Sequence, residues 1–401
     1  MRRNVKGSLM RPEGLPESSS WPVVTPLSPS VVYSSQSPDA LDDQYEGRAQ
    51  GFTYSREGHP NAQVVAARLD AMEGAEGGVV TGSGMGAVSA VLMGLLKTGD
   101  HVIGGNQLYG RSLRLMAEDL PRLGIATTLA DPGDVASVEA AIRPETKMVL
   151  VEVLSNPTLR LADIDGLAAL CKAKGLLLVV DNTFTTPRAF RPFDHGADIV
   201  LHSITKLLAG HSDAMLGYVV AKDPALTERM RIFSVTTGMT PSPFDCWLAE
   251  RGMLSFDLRF DRAEATAARL ADHLAAQAGV KRVLYPGRAD HPDHAGAMAL
   301  LDSHGCNMVS FELDFGEGGA RAGRAAANAF ARAAEGLSFA PTLGDAGTTL
   351  SHPASSSHRG LTAEAREALG MSEGFFRVSV GLEEPEALLA VFTRAIAAAT
   401  A

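Results

Sequence analysis

With 401 residues, 45% of them hydrophobic and 20% charged, the chain is long enough to bury one large core and one smaller one, so two domains are expected. Its 36 Lys and Arg stand against 46 Asp and Glu for a net charge of -10, with no basic run to offset it, which argues against nucleic acid or an anionic membrane as partner. Cys171, Cys246 and Cys306 are odd in number and far apart, without a CxxC pair or an even disulfide framework, a pattern that fits a reducing cytoplasm.

Met1 to Lys6 is basic, but Gly7 to Ser20 contains no apolar core of signal-peptide length, and no stretch reaches membrane-spanning length, so neither export nor an anchor is expected. The segment from Arg11 to Ser37 is rich in Pro and Ser, with too little apolar periodicity for a domain, and residues 1–58 read as an arm. From Pro60 onward, helix-length amphipathic segments alternate with short apolar runs at Gly77 to Thr81, His101 to Gly104, Lys147 to Val153, Leu176 to Asp181, Asp198 to His202 and Gly217 to Ala221. This alternation predicts an α/β domain over 59–255 built on a large, mostly parallel sheet. In such sheets ligands collect at the carboxyl ends of the strands. After Phe256 the pattern changes to a long helix (Phe260 to Ala276), a strand (Asn307 to Asp314), an Ala-rich helix to Glu335, a strand (Phe375 to Val380) and a final helix, a smaller α+β domain over 256–401.

Three of the predicted strand ends carry polar groups with complementary roles. Leu176 to Val180 ends in Asp181, an acid in a costly place unless a cation such as a protonated pyridine nitrogen sits against it. Asp198 to His202 runs into Ser203, Ile204, Thr205 and Lys206, two hydroxyls able to hold a phosphate beside a lysine able to form an imine. Val151 to Val153 leads to Ser155, Asn156 and Pro157, which offers an amide to a phenolic oxygen. Upstream, Gly82 to Gly86 stands between a strand and a helix, where backbone N–H groups and the helix dipole face an anion. Singly these are weak signals: a Gly-rich turn is most often just a turn, and most lysines are solvated. His202 and His211 match no metal-ligand spacing and read as structural.

Together the residues resemble the PLP attachment signature of the Cys/Met-metabolism enzymes, the group of cystathionine γ-synthase, cystathionine lyases, methionine γ-lyase and O-acetylhomoserine sulfhydrylase. The resemblance rests on HSITKLLAGHSD (His202 to Asp213), YSREGHP (Tyr54 to Pro60), SGM (Ser83 to Met85), LYG (Leu108 to Gly110), SNP (Ser155 to Pro157), VVDNTF (Val179 to Phe184), PFDCWLAERG (Pro243 to Gly252), SHPAS (Ser351 to Ser355) and RVSVGLE (Arg377 to Glu383). It implies the type I fold of PLP-dependent transferases and pyridoxal 5′-phosphate as cofactor. Lys206 is then the Schiff-base lysine and proton shuttle, and Asp181 the partner of the pyridinium nitrogen. Tyr109 stacks on the ring and acts as an acid toward the leaving group, while Asn156 contacts the 3′ oxygen. Ser83, Gly84, Met85, Ser203 and Thr205 hold the phosphate, joined by Tyr54 and Arg56 from a neighbouring subunit. Arg377 grips the substrate α-carboxylate with its bidentate fork. The resemblance further implies a homotetramer built as a dimer of dimers, in which the arm wraps a partner.

Several positions depart from the family pattern. Thr53 and Gly347 stand where cystathionine-handling relatives often carry acids, which disfavours a substrate with a distal ammonium. Thr342, in the turn Thr342 to Ala346, replaces the usual serine of a turn resembling that of methionine γ-lyases and O-acetylhomoserine sulfhydrylases. Arg111, next to Tyr109 and Gly110, either receives an anionic substituent or pairs with Glu57. His59, Asn61 and Leu207 are further departures. The expected reaction is γ-elimination on methionine or a related S-substituted homoserine, with γ-replacement, cystathionine γ-lyase activity and a non-housekeeping PLP specialist as alternatives.

Overall fold

The computed structural model describes residues 18–316 and 319–400, so the first 17 residues of the expected arm lie outside the described residues. Twelve strands occur among them: β1 (Val79–Thr81), β2 (His101–Gly105), β3 (Ala126–Ala130), β4 (Thr146–Glu152), β5 (Leu177–Asp181), β6 (Ile199–Ser203), β7 (Gly217–Ala221), β8 (Val280–Leu284), β9 (Met308–Leu313), β10 (Ser338–Phe339), β11 (Thr349–Ser351) and β12 (Phe375–Ser379). The first seven form one sheet in the order β1-β7-β6-β5-β4-β2-β3, in which only β7 runs against its neighbours. The expected large, mostly parallel sheet is therefore present.

Alternation along the strands explains why both faces are covered. Val179, Ile199, Leu201 and Val219 face a core shared with Ala87, Val91 and Met230, whereas Val180, Val200 and Val220 face one shared with Val65, Leu69 and Leu167. The helix Gly84–Leu95 lies on the first face and the helix Pro60–Glu73 on the second. β3 is absent from the sequence-based expectation because its Thr127 and Thr128 and its partly exposed edge position give no apolar run.

The second sheet, β10-β11-β12-β9-β8, is antiparallel except for β10 with β11. Its core gathers Phe311, Phe330, Phe376 and Phe392 against the helices Phe256–Ala275, Gly319–Ala333 and Pro385–Thr400. This is the smaller C-terminal α+β part that the sequence leads one to expect. β8, β10 and β11 carry no clear sequence signal; they are short, and β10 is exposed. The two sheets meet where Ser310 Oγ of β9 donates to Pro157 O at 2.6 Å, just beyond the end of β4.

Within the arm, the short helix Pro38–Tyr45 goes beyond the sequence expectation; Ser37 caps it and Pro38 opens it. Residues 25–28 lie against their own chain: Trp247 Nε1 donates to Thr25 O at 3.0 Å, Thr25 Oγ1 donates to Glu250 Oε1 at 2.6 Å and Asn61 Nδ2 donates to Pro26 O at 3.1 Å. Trp21, Val23, Val24 and Tyr45 remain exposed.

Candidate active site

The carboxyl ends of β4, β5 and β6 open into a cavity of about 230 Å³ lined by Ser83, Gly84, Met85, Tyr109, Asn156, Asp181, Ser203, Thr205, Lys206, Thr342 and Arg377, among others. Eleven predicted site residues from distant parts of the chain thus converge on one space. Tyr54, Arg56 and Arg111 do not line it. Tyr54 and Arg56 are exposed, with the Arg56 guanidinium 5.1 Å from the Tyr54 ring centroid. Arg111 is also exposed, and Glu57 lies 3.8 Å from Arg56.

At one end of the cavity, Ser83 caps the helix Gly84–Leu95, its hydroxyl accepting from Gly86 N at 3.0 Å. First-turn amides of a helix have no intrahelical acceptor, so those of Gly84 and Met85 stay available to an anion. A Cβ on Gly84 would lie 2.6 Å from Ser203 Cβ and 2.8 Å from Ser203 Oγ, so only glycine lets this helix start come up to the β6 tip. Thr205 is less free: its hydroxyl donates to Leu216 O at 3.2 Å and accepts from Leu216 N at 3.0 Å.

Asp181 ends β5, lines the same cavity and accepts from Thr183 N at 3.0 Å. Burial pushes its carboxyl upward, opposed by the Thr183 hydrogen bonds and by His202. Glu152, in register with Asp181 at the end of β4, also lines the cavity; its Oε1 accepts from Tyr109 N at 2.6 Å. Burial and then the Asp181 charge hold Glu152 well above the usual carboxylate range, against the Tyr109 amide. The sequence reading missed Glu152, which lies inside the predicted run Lys147 to Val153 and not beyond its end.

Lys206 lies in the tight turn after β6, where Lys206 N donates to Ser203 O at 3.2 Å, and its Nζ donates to Thr342 Oγ1 at 3.2 Å. Burial, reinforced by Arg377, lowers its ammonium pKa, which enlarges the fraction of neutral, nucleophilic amine. Gly344 in the facing turn has φ +81° and packs so closely that a Cβ would sit 2.4 Å from Leu207 N. Arg377 on β12 is 5% exposed; it donates from NH1 to Asn156 Oδ1 at 2.9 Å and from NH2 to Thr342 O, while its Nε has no partner among the described residues. Burial draws the guanidinium down to about 10, against the pull of Tyr109.

This donor set fits PLP. Helix-start amides and the Ser203 hydroxyl suit a phosphate, the half-buried Asp181 suits a ring nitrogen, the exposed Tyr109 suits a ring face, and the half-buried Lys206 amine lines the same space. No group of acids, histidines and cysteines suited to a metal occurs among the described residues.

Comparison with known proteins points the same way. A family model described as Cys/Met metabolism PLP-dependent enzyme matches residues 11–397. The L-methionine gamma-lyase of Pseudomonas putida is 37% identical over 385 residues, 96% of this chain and 94% of that protein. The O-succinylhomoserine sulfhydrylase of Pseudomonas aeruginosa is 38% identical over 355 residues, covering 88% of this chain and 86% of that one. The crystal structure of cystathionine gamma synthase from Xanthomonas oryzae pv. oryzae in complex with cystathionine superposes with a TM-score of 0.87 at 36% identity, covering 94% of this chain and 93% of that one. With the cavity, the lysine turn and the two-sheet architecture all in agreement, the chain belongs to the Cys/Met metabolism PLP-dependent enzyme family.

Proposed function

We propose that this enzyme catalyses γ-elimination on methionine or a related S-substituted homoserine, in which substrate and water yield a thiol, 2-oxobutanoate and ammonia. The observation that carries this reading is the distribution of charge around the cavity. Among the described residues its only lining carboxylates, Glu152 and Asp181, sit at the strand ends, and the turn from the smaller domain offers Thr342 and Leu343. Asp345, the nearest acid in that turn, spends its Oδ1 on Gly347 N at 2.7 Å and its Oδ2 on Ser212. An uncharged thioether suits such an end better than a distal ammonium, which loses charge-assisted hydrogen bonds worth about 1.5–3 kcal/mol each. The L-methionine gamma-lyase of Pseudomonas putida supports the same reading.

PLP, when bound, supplies an electron sink for negative charge developing at the substrate Cα. Arg377 holds the α-carboxylate through its fork. Lys206, near enough to Thr342 to be steadied by its hydroxyl, moves protons at Cα and Cβ of the substrate. Tyr109, anchored through its amide by Glu152, donates a proton to the departing sulfur. Tyr54 and Arg56 of a neighbouring copy complete the phosphate site, which makes the working unit at least a dimer.

Assaying 2-oxobutanoate from methionine, cystathionine and O-acetylhomoserine, each with and without sulfide, tests the proposal. Methionine is expected to be turned over without sulfide. If none of the three yields 2-oxobutanoate and O-acetylhomoserine is consumed only with sulfide, the enzyme is a γ-replacement transferase instead.

A second outcome concerns Tyr109. Glu152→Ala deletes the acceptor of its amide and is expected to lower kcat about 10-fold, in line with the loss of a hydrogen bond to a charged or acidic group. Glu152→Gln, which keeps an acceptor in place, is expected to retain most of the rate in steady-state assays.

A further inference from the structure

On the other face of the central sheet, directly behind the cavity, lies a buried polar cluster with no part in the chemistry above. Asp181 pairs with Leu201 in register, so the next residues in each chain segment, Asn182 and His202, turn to the opposite face. There both meet Glu73, the last residue of the helix Pro60–Glu73: Glu73 Oε1 accepts from Asn182 Nδ2 at 2.9 Å and bonds His202 Nε2. Asn182 and His202 are 0% exposed and Glu73 is 1% exposed. Asn182 Nδ2 also donates to Phe190 O at 2.8 Å, which leaves this amide little freedom.

Stability is a poor reason for such a cluster. Glu73 Oε2 and His202 Nδ1 are buried with no partner among the described residues, and a partly satisfied buried polar network gains little over an apolar replacement of the same shape. Its place in the chain offers a better one. Asn182 directly follows Asp181, His202 directly precedes Ser203, and Lys206 is four residues further on. One carboxylate therefore ties together the two strand tips that carry the ring-nitrogen acid, the phosphate hydroxyl and the lysine turn.

Resting on the assignment of the cavity to PLP, we infer that Glu73 is a positioning residue for the cofactor, clamping the tips of β5 and β6 from behind so that Asp181 and Ser203 keep the spacing the two ends of PLP require. The clamp works through the backbone, because Glu73 itself stands on the far face of the sheet. Asp181 also feels the cluster electrostatically: burial raises its carboxyl, the Thr183 hydrogen bonds lower it, and His202 lowers it further.

Glu73→Leu keeps similar bulk and removes the acceptor that Asn182 and His202 share. Resolved enzyme is titrated with PLP, the visible circular dichroism of the bound cofactor is recorded, and thermal midpoints are measured without cofactor. Tyr218→Phe is the structural control, because Tyr218 Oη donates to Asp70 Oδ1 at 2.6 Å in the same helix–sheet seam and makes no hydrogen bond to Glu73. Glu73→Leu is expected to weaken PLP binding tenfold or more and to halve the dichroism per bound cofactor. Tyr218→Phe is expected to lower the thermal midpoint and leave both cofactor readouts within twofold of wild type. Should Glu73→Leu not fold, Asn182→Ala, which cuts the link to the Asp181 strand together with the bonds to Phe190 O and Thr185, is expected to give the same two losses.

Wild-type affinity and dichroism in the folded variant would overturn the inference, as would losses that merely track the thermal midpoint in both variants. Failure of the wild-type enzyme itself to take up PLP would instead overturn the assignment of the cavity.

Discussion

Lys206→Ala is expected to abolish the visible absorption band of lysine-bound PLP and to lower turnover by about 10²–10⁴-fold or more, the range over which a positioned proton-transfer group acts. Lys206 is the one lysine lining the cavity among the described residues, and burial has already shifted it toward the neutral amine that both imine formation and proton transfer require. The helix-start amides, Ser203 and Asp181 stay in place in the variant, so PLP is expected to bind without the covalent link. Absorbance spectra with a 2-oxobutanoate assay check both halves. A surviving lysine-bound band would mean that another lysine carries the cofactor.

Arg377→Lys is expected to lower kcat/KM by about 10²-fold, mostly through KM. A guanidinium presents two parallel donors to a carboxylate, an ammonium presents one, and hydrogen bonds to charged groups contribute about 1.5–3 kcal/mol each. Arg377 is held by Asn156 Oδ1 and Thr342 O and so is aimed before substrate arrives. Its pKa, drawn down to about 10 by burial, sets the pH dependence. A guanidinium is charged below its pKa, so the grip on the carboxylate is complete at neutral pH and is lost as pH rises through about 10. Steady-state kinetics from neutral pH up to about 10 should show wild-type KM rising only at the top of the range. Equal losses in kcat with unchanged KM in the lysine variant would place Arg377 away from the carboxylate.

Much of this site is legible in the linear sequence. Asp181, Ser203, Thr205 and Lys206 follow apolar runs that end abruptly in polar residues, and in a parallel sheet such ends open to the ligand. Ser83, Gly84 and Met85 carry a helix-start pattern that is equally local. Glu152 gives no such signal, because its role depends on register with Asp181 across a strand pair and on an amide 43 positions away in the chain. His202 reads in sequence as a structural residue at the head of the HSITK motif, with nothing to name its partner. Its partner Glu73 lies 129 residues earlier, and no spacing links them. Arg111 shows the opposite limit, since its neighbours in sequence suggest a substrate contact that one folded chain does not bring to the cavity.

By itself the sequence determined most of the strands and longer helices, β3, β8, β10 and β11 excepted, and the mostly parallel character of the first sheet, because periodicity is a property of neighbouring residues, while the family and the cofactor were legible through the resemblance of its motifs. Only the tertiary structure decided which groups face one another: Lys206 with Thr342, Arg377 with Asn156, Tyr109 with Glu152, and Glu73 with both Asn182 and His202. Those pairings also decide protonation, since burial and neighbouring charge shift a pKa only once distant segments have packed together.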